Sequence, residues 1–304
     1  PGQVAPMSLL TYEDARPWAR SMKQRTAIRD KMGAMPPWYI EKNIGIQHYK
    51  NDPSLSDEEI AKIARWADSG APRGNPADMP APKVFPDGTQ WNAGTPDLIV
   101  ESPEIVVKAN SPDWWGEIEP VAIPLDEDRY VLAVEIKEVN DAAVHNGGRD
   151  TVGGLFVWHH LIYRTQVGLD TPSDLELLAG SENVVNWPVH EVGRNPDYFD
   201  PKSAVLLKKG SWIFSDSLHT HSSGKDVTSH LEFGYKLAPK GYKPEFKRAV
   251  FGLGNGVDID IAGMKKEQQL HAYAVLNEPT KIISFEPHLH APGNRMCLEA
   301  IWGY

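Results

Sequence analysis

The sequence predicts a mainly β protein of β-sandwich or jelly-roll type, with a small helical part at its N-terminal end. Many short segments of alternating apolar and polar residues follow residue 92, and glycine- and asparagine-rich turns separate them. Ten tryptophans and 25 prolines suit a loop-rich β protein better than a helical one. Two capping-box motifs, by contrast, lie within the first eighty residues and indicate helices there.

The helical part begins at the first capping box, Thr11–Asp14 (TYED). It predicts a helix that runs to about Met32, with Pro17 inside it. The second capping box, Ser56–Glu59 (SDEE), opens a helix whose apolar residues recur on one face. Gly70 stands where the C-terminal cap of this second helix belongs.

A proline-rich stretch, residues 71–91, connects the helical part to the β part. Its sequence, APRGNPADMPAPKVFPDGTQW, has no regular period, so we place a domain boundary there. The strands predicted after it include Asp97–Glu101, Arg129–Val139, Leu155–Arg164, Ala204–Leu218, His230–Leu237, Val257–Ile261, Leu270–Leu276 and Lys281–Leu289.

Composition excludes several classes of function. The 304 residues carry a formal net charge of −10, which argues against a nucleic-acid partner because phosphate binding needs clustered Lys and Arg. No apolar run approaches the roughly 18 residues that indicate a membrane-spanning helix. The single cysteine, Cys297, cannot form an internal disulfide and does not identify the compartment.

Histidines are the residues that point to a chemistry, because ten of the eleven lie in the β part. Two histidines separated by one residue on a strand point to the same face of the sheet, roughly 6–7 Å apart, which suits a shared metal ion. A single histidine on a strand is more often an ordinary polar residue, but the clustering favours a metal site. The clustered pairs are His159-His160, His219 with His221, and His288 with His290.

The adjacent pair, His159 and His160, needs a separate explanation. Neighbouring side chains on a regular strand point to opposite faces. Both can bind one ion only if a bulge or twist re-aims one ring, or if the two rings use different nitrogens. The alternative is one ligand and one buried histidine.

Copper is the metal that the residue types favour. Imidazole-rich sites suit copper, zinc, iron and nickel, and copper is bound most tightly of the divalent series. One cysteine cannot supply a structural zinc site of the cysteine-rich kind. A two-histidine, one-carboxylate site for iron stays open, with Glu286 and Glu299 close to the last histidine pair.

At these motifs the sequence resembles the copper type II, ascorbate-dependent monooxygenases, the family of peptidylglycine α-hydroxylating and dopamine β-monooxygenases. LFVWHHLIYR resembles the paired-histidine strand of that family, and SLHTHSSGK resembles the strand that supplies a third histidine. EPHLHAPGNRM resembles the His-x-His of a second copper. The likeness covers about residues 90–304 and is greatest to a bacterial branch with an N-terminal c-type cytochrome-like domain.

The resemblance implies two jelly-roll-like β-sandwich domains that face each other across a solvent-filled cleft, each with one copper. The electron-transfer copper would use His159, His160 and His219. His221 would then be an extra histidine, or a substitute for His219.

The oxygen-binding copper would use His288 and His290 as its catalytic ligands. In the family, the methionine ligand of this copper lies further along the chain, so we expect the sequence to continue beyond Tyr304. Met296 is the nearest substitute among these residues, although MCLEAIWGY reads as a strand that packs Met296 along one face.

The first residues resemble the cytochrome c-like domain of the bacterial branch. MPPW, Met35–Trp38, resembles its haem axial-methionine loop. No Cys-x-x-Cys-His motif occurs in the sequence, so the resemblance implies haem c with Met35 as a ligand only if that motif lies upstream. The alternative for Met35 is a core methionine before a proline turn.

The predicted domain organisation combines these readings. The second β-sandwich would be incomplete, and the chain would be truncated at both ends. His145, in the glycine-rich approach to the histidine pair, would be a surface residue or an additional ligand. The domains are a cytochrome c-like helical remnant (1–75), a proline-rich linker (76–92), a first copper-binding β-sandwich (93–235) and the start of a second (236–304).

The expected function is the hydroxylation of a C–H bond of a small molecule with O2. Electrons would come from an ascorbate-like reductant or a cytochrome, which could be an attached haem domain. The resemblance also implies a periplasmic or secreted protein. The alternatives are a non-catalytic copper-binding or electron-transfer protein, and an interaction module whose tryptophans form a carbohydrate- or partner-binding surface.

Overall fold

The chain folds mainly as β structure, in two six-stranded antiparallel sheets. This computed structural model describes residues 7–46, 48–81, 90–141, 156–191, 196–254, 259–290 and 292–302.

The strands divide between the sheets as follows. The strands of the first sheet are β1 Leu98–Glu101, β2 Ile105–Val107, β5 Arg129–Asn140, β9 Asp197–Tyr198, β10 Val205–Leu207 and β12 Val227–Leu237. They have the order β1-β12-β5-β10, with β2 paired to β12 and β9 paired to β5.

The strands of the second sheet are β3 Trp114–Gly116, β4 Val121–Ala122, β6 Trp158–Val167, β7 Val184–Asn186, β8 His190–Glu191 and β11 Ser211–Thr220. They have the order β3-β11-β6-β7, with β4 paired to β11 and β8 paired to β6.

One hydrophobic core lies between the two sheets, which pack as a sandwich. Alternate residues of β12, such as Leu231 and Phe233, are fully buried, as period-2 alternation requires. The rings of Tyr163 on β6 and Phe233 on β12 lie 5.3 Å apart, centroid to centroid, and join the sheets directly. The predicted mainly β character is therefore confirmed.

Five of the predicted strands occur in the structure, with one difference in their division. The segment Ala204–Leu218 forms two strands rather than one, because the turn between β10 and β11 contains Gly210. Its φ of +79° is a conformation that residues with a side chain rarely adopt.

The described residues after Leu237 contain no helix and no strand. The strands predicted at Val257–Ile261, Leu270–Leu276 and Lys281–Leu289 are therefore wrong wherever the structure describes them, and so is the one around Met296. Alternating apolar residues do occur there, but their side chains are exposed. A strand exists only where a neighbouring strand completes its hydrogen bonds, and alternation alone does not supply that neighbour.

The helical part begins as predicted but ends earlier. Thr11 caps its first turn by accepting a hydrogen bond from the Asp14 backbone N–H. Pro17 lies in a single 3₁₀ turn, because proline has no N–H to donate within the helix. The helix then ends at Thr26 rather than near Met32. The three elements are α1 Tyr12–Ala15, the 3₁₀ turn Arg16–Trp18 and α2 Ala19–Thr26.

The second predicted helix is confirmed with both of its ends. It forms α3, Asp57–Asp68, and Ser56 and Glu59 make the reciprocal hydrogen bonds of a capping box. Gly70 follows with a φ of +87°, as expected of a C-terminal glycine. The remaining helical elements are the 3₁₀ turn Pro76–Asp78 and α4 Asp174–Ala179. Among the described helices, none has the length and apolar character to cross a membrane.

Leu218, which precedes His219 on β11, provides a test of the core. It is fully buried, so Leu218→Ala removes packed methyl groups and leaves a cavity. We expect the free energy of unfolding to fall by about 2–5 kcal/mol in urea denaturation. Val106→Ala, on an exposed side chain of β2, is the control and should cost less than about 1 kcal/mol. Equal losses in the two variants would contradict this packing.

Candidate metal centre

The candidate site lies on the outer face of the second sheet, where β6 and β11 run side by side. His160 and His219 are directly opposite each other in the register of these strands, so their side chains share one face. The next pair, Leu161 and Leu218, is buried in the core. Because side chains alternate along a strand, the two histidines face away from the core.

A β-bulge at His159 brings the adjacent histidine to the same face. His219 lies opposite His160, but Thr220 lies opposite Trp158, so His159 is the extra residue on β6. Trp158 is buried although it is three residues from the buried Leu161, a spacing that would place them on opposite faces of a regular strand. The rings of His159 and His219 are 6.3 Å apart, centroid to centroid. Of the alternatives considered for the adjacent pair, the structure therefore shows the bulge.

Three histidine rings meet at this face. The ring centroid of His221, just after β11, is 4.0 Å from that of His159 and 4.2 Å from that of His219. Asp113, just before β3, joins them, because its Oδ1 is 2.7 Å from His221 Nδ1. Asp113, His219 and His221 offer ligand atoms that all lie within 4.8 Å of one another. We call His159, His219, His221 and Asp113 the histidine cluster.

His160 lies beside the histidine cluster with its own carboxylate partner. Its Nδ1 is 2.9 Å from Glu191 Oε1 on β8, and these two residues are opposite in register. Trp115 on β3 contacts both: its ring stacks on that of His219 at 3.9 Å and is 6.1 Å from that of His160, centroid to centroid. An Nδ1 held by a carboxylate leaves Nε2 as the ligand atom, the arrangement that is common around metal-binding histidines.

The histidine cluster fits a metal ion better than it fits a set of ordinary polar side chains. His219 Nε2 is buried and has no hydrogen-bond partner. The nearest carboxylate oxygen, Asp113 Oδ2, is 3.6 Å away, which is too long for a hydrogen bond. A buried polar atom without a partner is costly, and a metal ion would supply that partner. Imidazole nitrogens with one nearby carboxylate form a donor set that copper accepts.

The electrostatics of the histidine cluster also favour the neutral imidazoles that metals bind. Burial lowers the pKa of His159, and repulsion by His221 and His219 lowers it further. Burial likewise lowers the pKa of His219, and repulsion by His221 is the second cause of this lowering. Lowered pKa values keep these rings unprotonated, so fewer protons compete with a metal ion.

A second group that could hold a metal lies on the outer face of the first sheet. His230 and Glu232 are one residue apart on β12, and Glu101 on β1 lies opposite Glu232. The buried Leu231 and Phe233 point the other way, into the core. The sequence motif His-x-Glu could have indicated two members of this group, but the contribution of Glu101 depends on strand pairing.

His288 and His290 are neighbours but do not lie on a strand. Their ring centroids are 5.0 Å apart, in an exposed segment without regular structure. Among the described residues, no His, Cys, Asp or Glu joins them to make a group of three ligands. Met296 lies in the same irregular segment and is exposed. His145 lies outside the described residues.

Met35 lies in the helical part, at a cavity of about 200 Å³ that α2 and α3 help to line. Trp38 also lines this cavity, and its buried Nε1 has no hydrogen-bond partner. The cavity is smaller than the pockets of about 300–1,000 Å³ that enclose small-molecule ligands. The described residues therefore do not by themselves enclose a group as large as haem, and Met35 is half exposed.

Sequence reasoning missed the partners of the histidines. Asp113, Trp115 and Glu191 belong to no motif, and each reaches the site through pairing with a strand distant in sequence. The double tryptophan of β3 was the one local signal near them.

Comparison with known proteins leaves the family open. No protein-family model matches the chain, and the curated proteins contain no significant match to it. The interpretation of this site therefore depends on its own geometry.

The lowered pKa values give a test of the metal-free site. We expect His159 and His219 to titrate below about 6.5 in histidine-selective NMR, because burial and the neighbouring rings disfavour the charged form. His221→Ala should raise both pKa values by removing one of those rings, while His230→Ala on the opposite sheet should change neither.

The same shifts affect stability. Because the unfolded chain has ordinary pKa values, the metal-free protein should lose stability as the pH falls from about 6.5 through the lowered values. Titration of His159 and His219 at or above 6.5, with no response to His221→Ala, would contradict this electrostatic account.

Proposed function

We propose that this protein is a copper-dependent monooxygenase whose histidine cluster holds one copper ion. The observation that carries the proposal is the meeting of three imidazole rings, one of which, His219, has a buried Nε2 without a hydrogen-bond partner. The ligand atoms of His219 and His221, with Asp113, lie close enough to share one ion. His159 is proposed as the third imidazole ligand because its ring lies 4.0 Å from that of His221, centroid to centroid. The resemblance implied His160 in place of His221, and His160 lies next to the cluster.

The residues around the histidine cluster would hold its ligands in fixed orientations. When bound, copper supplies one-electron transfer between Cu(I) and Cu(II) for the reaction of O2 with a C–H bond. Asp113 fixes the tautomer of His221 by accepting the proton of Nδ1, and Glu191 does the same for His160. Trp115 covers one face of His219 and limits the rotation of that ring.

In this proposal, His288 and His290 would bind the second copper ion, the one at which O2 binds. Three separate histidine motifs in one chain, in the order found in the copper monooxygenases, favour this class over a single metal-binding site. The proposal includes jelly-roll topology, a cytochrome c-like part at 1–75 and a second copper-binding domain at 236–304. It also includes a small-molecule substrate, O2, a reductant or cytochrome as electron donor, and a periplasmic or secreted location.

A non-catalytic copper carrier is the second candidate. The observation that favours it is the exposed His288–His290 pair, which has no third His, Cys, Asp or Glu beside it among the described residues. A carrier needs only the histidine cluster, and copper reduced there would pass its electron to another protein.

Copper content tests the histidine cluster. We expect the double variant His219→Ala/His221→Ala to lose about one copper per chain relative to the unmodified protein, because two of its three converging rings are removed. Inductively coupled plasma mass spectrometry after copper loading and desalting measures this. His48→Ala, an exposed histidine of the helical part outside both candidate metal groups, is the control and should keep the full content. An unchanged copper content in the double variant would refute the assigned site.

Oxygen uptake separates the enzyme from the carrier. With ascorbate as reductant, the copper-loaded protein should consume O2 in an oxygen electrode. The double variant His288→Ala/His290→Ala should lose this uptake but keep the copper of the histidine cluster. If the unmodified protein binds copper but consumes no O2 beyond the buffer rate, the carrier is the better account.

A further inference from the structure

A buried carboxylate lies directly behind the bulge that positions the histidines. Glu138 is on β5 of the first sheet, opposite the core residue Leu231, and is 5% exposed. Its Oε1 and Oε2 accept the backbone N–H of Val157 at 3.0 and 3.1 Å, and Oε2 accepts that of Trp158 at 3.1 Å. These two residues immediately precede His159. One carboxylate of the first sheet therefore holds the start of β6 in the second sheet.

The remaining contacts of Glu138 strengthen the same anchor. Asn140 Nδ2 and Ser229 Oγ donate to Glu138 Oε1 at 2.8 and 3.1 Å. Ser229 Oγ in turn accepts the indole N–H of Trp158 at 2.9 Å. Trp158 is thus fixed through both its backbone and its side chain. Burial raises the pKa of Glu138, and the four donor groups that point at its carboxyl oxygens offset this rise only in part.

The anchor also reaches the far side of the histidine cluster. The carbonyl oxygen of Val157 accepts the backbone N–H of His221 at 3.0 Å. Val157 is therefore held by Glu138 through its N–H and by His221 through its C=O. Displacement of Val157 would move His221 as well as the two histidines that follow on β6.

We propose that Glu138 is a positioning residue, which fixes the bulge at His159 and thereby gathers the histidine cluster on one face. Glu138 would act by fixing the register of β6 against β11. Without Glu138, the N–H groups of Val157 and Trp158 would be buried donors with no acceptor. A one-residue slip of β6 toward regular pairing would then turn one of the two adjacent histidines toward the core. The effect on copper binding rests on the proposed function of the cluster, whereas the positioning of the rings does not.

The chain offers a matched control on the same strand. Glu135 is also buried, at 1% exposure, and lies three residues from Glu138 on β5, so it points to the opposite face. It accepts the N–H of Asn92 at 3.0 Å and that of Ala93 at 2.8 Å. Glu135 therefore anchors a backbone segment in the same way as Glu138, but away from the histidines.

The experiment compares Glu138→Met, Glu138→Gln and Glu135→Met. Methionine fills the space without an acceptor, whereas glutamine keeps one oxygen for the backbone N–H groups. Copper(II) affinity is measured by competition with a chelator, and the coordination of the bound ion by electron paramagnetic resonance. Histidine NMR signals of the metal-free protein report ring positions without any metal.

We expect Glu138→Met to lower copper affinity by about tenfold or more, the size of effect that follows when the orientation of metal ligands is no longer held, and to change the resonance spectrum. The NMR signals of His159 and His221 should move in the metal-free protein. Glu138→Gln should recover most of the affinity. Glu135→Met should leave affinity, spectrum and histidine signals unchanged, although it also removes a buried anchor.

Unchanged copper affinity and histidine signals in a folded Glu138→Met variant would overturn the proposal, as would equal effects of Glu135→Met. If Glu138→Met does not fold, Glu138→Asp takes its place, because its carboxylate is one methylene shorter and draws the backbone out of position. Aspartate should then weaken copper binding, and no change would overturn the proposal. If the unmodified protein binds no copper, the proposed function fails, and the metal-free histidine signals alone decide the role of Glu138.

Discussion

The one-residue bulge at His159 is the constraint on which the arrangement of the site depends. Because side chains alternate along a strand, His159 and His160 would otherwise lie on opposite faces, with one ring in the core. The extra residue allows Trp158 and Leu161 to be buried while both histidines between them stay outside. His219 on the neighbouring strand and His221 just after it then complete a cluster that no single strand could provide.

The sandwich supports this cluster from both sides. Behind it, the carboxylate of Glu138 crosses between the sheets and satisfies two backbone N–H groups that precede His159. In front of it, the short outer strands β3 and β8 bring Trp115 and Glu191 against the rings, and Asp113 reaches His221. A polar site on the outer face of a sheet can thus be rigid, because residues at or just before two outer strands contact the rings of His160, His219 and His221.

The sequence predicted the parts of this site that local patterns determine. The His-x-His spacing placed His219 and His221 together, and a bulge, which the structure contains, was one of the alternatives considered for the adjacent pair His159-His160. Asp113, Glu138 and Glu191 could not be predicted, because the register of distant strands brings them to the histidines. Beyond Leu237 the same alternation that predicted strands correctly in the sandwich predicted them wrongly, since no neighbouring strand completes them among the described residues.

The central claim is that the histidine cluster binds copper through imidazole. X-ray absorption spectroscopy of copper-loaded protein with His288 and His290 replaced by alanine tests it most directly. In that variant, the cluster on the second sheet is the one place among the described residues where histidine rings converge. The account predicts about one copper per chain with scattering from three imidazole ligands. Copper that is absent after desalting, or that shows no imidazole scattering, would contradict it.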